Sequence, residues 1–144
     1  MANSSHLSAT ELAGLDLATT AKLFKRRFAG QVQETKLLIG FCLAIRRDIL
    51  NRIGLLDESM FLGSEDLEVS WRIRSHGLKL LMAIDVFVHH FCSVSMSWLP
   101  SSVKKELIDS STNELRRKLA KAYANTGVPA SKELWGCSFV QLDI

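Results

Sequence analysis

The stretch 101–126 places the strongest constraint on what this chain can fold into. Its apolar residues Val103, Leu107, Leu115, Leu119 and Tyr123 are separated by multiples of four, a spacing that gathers them into one stripe of a long helix. An amphipathic helix of this kind is stable only where something covers its stripe, so the rest of the chain must supply a packed body. Ser101 and Ser102 offer caps at its start, and Gly127 and Pro129 end it. Lys104-Lys105 and Arg116-Arg117-Lys118 alternate with Glu106, Asp109 and Glu114, which predicts a solvated face in preference to an RNA-binding one.

Composition permits such a body. With 144 residues, 47% of them hydrophobic, the chain can bury a core, and its length favours one domain, 1–144, over two. Eighteen Lys and Arg against fifteen Asp and Glu leave a net charge of +3, too mild to argue for nucleic acid. The three cysteines, Cys42, Cys92 and Cys137, form no CxxC pair and read as free thiols in a reducing compartment. The N-terminus has no basic start followed by an apolar run, and the nine-residue apolar run 37–45 falls short of the ~18–20 residues that span a bilayer. A cytoplasmic protein without a transmembrane segment is expected, free in solution or peripheral at a membrane.

Local signals divide the body into helices and short strands. Ser8-Ala9-Thr10-Glu11 matches a capping box, and the helical spacing that follows to Gly30, weakened at Gly14 and Thr19-Thr20, predicts one broken helix or two short ones. Lys25, Arg26 and Arg27 suit its C-terminal end. Residues 36–45 read as a strand covered on both faces, with Gly40 marking a close approach of another backbone or of a ligand. Arg46-Arg47-Asp48 opens a short helix that Gly54 stops with a left-handed cap. A loop leads to Ser64 as N-cap of a helix with Glu65, Asp66 and Glu68 in its first turns, Arg72, Arg74 and His76 in its last, and Gly77 at its end. Residues 78–90 read as two short strands broken near Asp85, and the tail 127–144, with Leu134 and Trp135, is apolar enough to dock.

On spacing alone two places could carry chemistry. Glu65 and Asp66 set carboxylates beside a loop at a helix N-terminus, where acids also serve as ordinary stabilisers. His89 and His90 would face opposite sides of a strand, so one of them could meet a metal or substrate while the other is structural. No Gly-x-Gly, Walker-type loop, HExxH or GxSxG occurs.

In order, the chain shows Gly40-Phe41-Cys42-Leu43-Ala44-Ile45-Arg46-Arg47, Ile53-Gly54-Leu55-Leu56-Asp57-Glu58, Glu65-Asp66 with Arg72 and Gly77, and Asp85-Val86-Phe87-Val88-His89-His90-Phe91 with Ser93. This series resembles the C-terminal half of a family 2 glycosyltransferase of the GT-A fold, over about 37–98 with a weaker echo at 131–136. The resemblance implies an α/β fold, an incomplete GT-A-like half whose few short strands are packed by helices. It implies inverting transfer of a sugar from a nucleotide-diphospho-sugar donor to a sugar or glycan acceptor. Asp66 matches the general base, Glu65 a residue that orients it or touches the acceptor, and Gly40, Trp71 and Arg72 the substrate side. His90, or His89 if the register shifts by one, matches a position near a divalent cation, Mn2+ or Mg2+.

The chain departs from that pattern in three places. Leu67 and Glu68 stand where relatives carry a longer acidic run, no Asp-x-Asp occurs among the 144 residues, and the Gln-x-x-Arg-Trp signature of processive enzymes is missing. The resemblance therefore implies the acceptor and base side without a donor site, inactive alone, with a homo-oligomer or a donor-binding partner chain supplying the rest. Two other readings stand beside it: a non-catalytic binding or scaffold module derived from such an enzyme, and a small metal-binding protein using His89 or His90 with Cys92.

Overall fold

The computed structural model describes residues 9–91 and 94–137. Among them the chain forms α1 (Ala9–Leu12), α2 (Leu17–Arg27), β1 (Val32–Thr35), α3 (Arg47–Ile53), α4 (Glu65–Ser75), β2 (Leu80–Ala83), a 3-10 turn at Val94–Met96, α5 (Ser101–Ala122) and α6 (Ser131–Trp135). The architecture is mixed helix and strand, with one two-stranded sheet of β1 against β2. Two compact units divide the chain, Met1–Glu34 with Leu81–Phe91, and Thr35–Leu80 with Cys92–Ile144.

In the first unit the N-terminal helix is broken at Gly14 (φ 76), whereas Thr19 and Thr20 lie inside α2 and do not interrupt it. Ser8 of the capping box lies outside the described residues. The cap of α2 is Asp16, which accepts from Thr19 N and Thr19 Oγ1, both at 2.8 Å. Arg27 in the last turn of α2 pairs with Glu11 of α1. Phe28 is buried, and Phe24 lies 5.8 Å from its ring and 5.6 Å from that of Phe87.

The strands differ from expectation in both places. Residues 36–45 form no strand; the first strand lies just before them, at Val32–Thr35. The reason is that side chains meet the backbone donors of this run: Leu38 N–H donates to Ser70 Oγ at 3.1 Å, and Leu37 N–H to Thr35 Oγ1 at 3.3 Å. Leu38, Leu43 and Ile45 turn inward against helices, whereas Ile39 and Phe41 stay 56% and 50% exposed. The expected second strand after Asp85 is also absent. Ile84 N–H donates to Gln31 O, Asp85 Oδ2 accepts from Gly30 N–H, and Phe87 packs on Phe24 without joining the sheet.

The second unit is built around α4. Leu67 joins Met60, Leu115, Leu119, Leu134 and Trp135 in one buried cluster, while Val69 and Ile73 join Ile53 and Leu80 in another. Leu67, Glu68, Val69 and Ser70 are all buried, so the turn of α4 that follows Glu65 and Asp66 is enclosed on every side. The stripe of α5 divides: Leu115 and Leu119 are enclosed, and Val103 is exposed. Pro100 stands in the cap position of α5, where its carbonyl accepts from Lys104 N–H; Ser101 is the first helical residue and provides no side-chain cap. Gly54 follows α3 at φ 94, ψ 161, a positive φ outside the left-handed helical basin. The tail up to Cys137 docks through Trp135, whose Nε1–H donates to Leu67 O at 3.0 Å, while Lys36 Nζ donates to Glu133 O at 2.9 Å. No helix among the described residues is long and apolar enough to cross a membrane.

Leu115 is 0% exposed, so Leu115→Ala is expected to lower the unfolding free energy by about 2–5 kcal/mol in denaturant titration. A loss below about 1 kcal/mol would show that the α4–α5 core is loosely packed.

Candidate functional site

The loop before α4 delivers the acidic pair through a backbone kink. Ser64 has φ 68 and ψ −8, and is the one non-glycine with positive φ among the described residues. Expected as a cap, its hydroxyl does not cap α4 and lies 3.3 Å from Thr112 Oγ1 on α5. Asp66 fills part of that role, accepting from Leu67 N–H through Oδ1 at 2.8 Å.

Gly40 and the acidic pair come together although 26 residues separate Gly40 from Asp66. Gly40 N–H points at Asp66 Oδ2 over a long 3.4 Å. A Cβ at residue 40 would lie 3.6 Å from Asp66 Cβ and 3.9 Å from Glu65 Oε1, so the glycine keeps open the space beside both carboxylates. Glu65 and Asp66 are half-buried, and Glu65 Oε2 is shut off from solvent with no hydrogen-bond partner. This places two adjacent carboxylates at a helix N-terminus, with Asp66 Oδ2 held only by its long contact to Gly40 N–H.

Trp71 and Arg72 are used inside the fold. Trp71 Nε1–H donates to Tyr123 Oη at 3.2 Å. Arg72 Nε donates to Glu68 Oε1 at 3.0 Å, Nη1 to the carbonyls of Ile53 and Gly54, and Nη2 to Leu55 O and Glu68 Oε2. His89 and His90 belong to the other unit and are exposed; the His89 ring meets Phe91 edge-on at 4.4 Å. No strand runs through them, so the alternation argument that assigned one to a site does not apply. Cys92 lies outside the described residues. Among those described, no group of three or more His, Cys, Asp and Glu could hold a metal ion.

The sequence reading missed a charge network beneath the pair. Glu68, expected as an ordinary first-turn acid, is 2% exposed. Its Oε1 receives both Arg72 Nε and Lys118 Nζ at 3.0 Å. Lys118, expected on a solvated face, is enclosed between Glu68 and Asp57, whereas Lys105 and Arg117 do lie on that face with Asp109 and Glu114. The (i, i+4) pair Glu68 and Arg72 was the available signal.

Asp57 is held well below the usual carboxylate range by its hydrogen bond from Lys118 and then by those from Ser59. For Lys118 burial pulls the pKa down, but hydrogen bonds with Asp57 and Glu68 outweigh it and raise the ammonium above its ordinary value.

No family model matches the chain, and no curated protein and no solved structure matches it.

The sign of the pH dependence follows from those two shifts. The Asp57 contribution is complete above its unfolded pKa of about 3.9 and is lost as pH falls below it. The Lys118 contribution is complete below about 10.4 and is lost as pH rises through the higher folded value. Urea unfolding at about pH 7 and about pH 3 should therefore show a larger loss for the parent than for Asp57→Asn. Equal losses would mean that the pair does not contribute to acid stability.

Proposed function

We propose that the chain is the acceptor-side portion of an inverting, nucleotide-sugar-dependent glycosyltransferase of the GT-A type, with Asp66 as general base. The observation that supports this most is the meeting of Gly40 with Glu65 and Asp66, two separate blocks of the family 2 resemblance. The chemistry asks for an ionised carboxylate within reach of an acceptor hydroxyl. Asp66 Oδ2, with only its long contact to Gly40 N–H, has lone pairs for that proton. Glu65 orients the pair or touches the acceptor.

A nucleotide-diphospho-sugar donor, with its Mn2+ or Mg2+, is met by residues outside this chain, supplied by a second copy or by a donor-binding partner. The working compartment in this reading is the cytoplasm or the cytoplasmic surface of a membrane. A second reading, a non-catalytic scaffold, draws on the internal engagement of Trp71 and Arg72, which leaves those side chains occupied by the fold.

Sugar transfer from UDP-, GDP- and dTDP-linked donors, with manganese or magnesium and over rising chain concentration, separates the two. Asp66→Asn is expected to lower transfer by ~10²–10⁴-fold at an unchanged melting temperature. Undiminished transfer contradicts Asp66 as base. A parent without transfer, together with a lowered melting temperature in the variant, favours the scaffold.

A further inference from the structure

The sheet of β1 and β2 has no third strand among the described residues, so each strand keeps one edge without a ladder partner. Ile84, just after β2, donates its N–H to Gln31 O, just before β1, which sets the two strands antiparallel. Alternation along β2 then fixes which backbone groups look outward. Leu80 and Met82 turn their N–H and C=O toward β1, as Ile84 does, and Leu81 and Ala83 turn theirs away from it. Leu81, Met82 and Ala83 are all exposed, with Leu81 at 53% and Met82 at 40%.

A ribbon of two strands is marginal in water, and a third strand stabilises it. Charged side chains and proline are the devices that keep strand edges apart, and Leu80-Leu81-Met82-Ala83 carries neither. This edge is also complementary to itself. A second copy of β2, laid antiparallel about a two-fold axis at Met82, sets Leu81 opposite Ala83 of the partner subunit and Ala83 opposite Leu81 of the partner subunit. Each of these is a hydrogen-bonded pair, so every outward-facing N–H and C=O of both residues is satisfied in both copies. On one face a large leucine meets a small alanine, and on the other Met82 meets its own copy at the close spacing of a non-hydrogen-bonded pair.

We infer that two copies of this chain associate through the outer edge of β2, joining their ribbons into one antiparallel four-stranded sheet. Residues 81–83 of each copy bury less than the roughly 1,200–2,000 Å² of a standard interface, so the dimer forms by mass action at high chain concentration and dissociates on dilution. The inference uses the sheet alone and stands apart from the acidic pair and its chemistry.

Sedimentation velocity of the full chain over rising concentration, with reductant present, tests it. Ala83→Pro removes an N–H that β1 does not use, a change that an edge strand tolerates. Leu81→Lys adds a charge to the edge at a side chain already exposed. The expected result is a reversible monomer–dimer equilibrium for the parent, its dissociation constant raised at least about tenfold by either change and unaffected by Lys22→Ala on α2. Met82→Cys, oxidised after removal of reductant, is expected to give an 82–82 disulfide in peptide mass spectrometry, since a non-hydrogen-bonded pair holds its Cα atoms about 4.5 Å apart. A parent that stays monomeric, or a dimer that Leu81→Lys leaves unweakened, overturns the interface. A dimer that both changes weaken but that forms no 82–82 disulfide overturns the axis at Met82.

Discussion

A carboxylate enclosed in a protein interior must be matched by cations and donors or it destabilises the fold, and Glu68 is the place where this chain meets that demand. At 2% exposure it receives Lys118 from α5 and Arg72 from its own helix. Arg72 then reaches the carbonyls of Ile53, Gly54 and Leu55, and Lys118 reaches Asp57. One buried charge thereby ties the end of α3, the loop after it, α4 and α5 into a single arrangement. At 3.0 Å and an effective dielectric of about 20, each such contact is on the order of 5 kcal/mol before desolvation is subtracted. Exposed pairs such as Arg46 with Asp48 are screened by solvent and tie no elements together.

The acidic pair depends on that arrangement. Glu65 and Asp66 stand one turn before Glu68, and their direction is set by where α4 begins. Ser64 adopts a left-handed conformation that an ordinary residue resists, and its carbonyl accepts from Glu68 N–H at 2.9 Å. The network below and the Ser64 hydroxyl contact with Thr112 hold the kink in place. Asp66 Oδ2 then faces the Gly40 N–H at 3.4 Å. In this account the same helix start anchors the core through Glu68 and presents chemistry through Asp66.

Helices were far more legible in the sequence than strands. The spacing of Leu115 and Leu119, the stop at Gly54 and the charge order from Glu65 to Arg74 each reflect local rules, and α3, α4 and α5 follow them. Residues 36–45 carry an apolar run that suits a strand, but the choice of partner is a tertiary matter. Ser70 and Asp66 offered acceptors to Leu38 N–H and Gly40 N–H, and the run became a loop laid on α4. The acidic pair was visible as residue types, and Gly40 as a close approach. That Gly40 approaches Asp66 was not visible, because it depends on how a loop and a helix 26 residues apart meet. Lys118 lay beside Arg117, which is solvated, and only the three-dimensional position of Asp57 and Glu68 distinguishes it.

The Glu68 carboxylate holds this unit together. Its most direct test is the unfolding free energy of Glu68→Gln, which removes the charge and keeps the shape. The expected loss is about 3–5 kcal/mol, the cost of leaving Lys118 and Arg72 without their enclosed anion. A variant within about 0.5 kcal/mol of the parent, the range of an ordinary surface change, would contradict it.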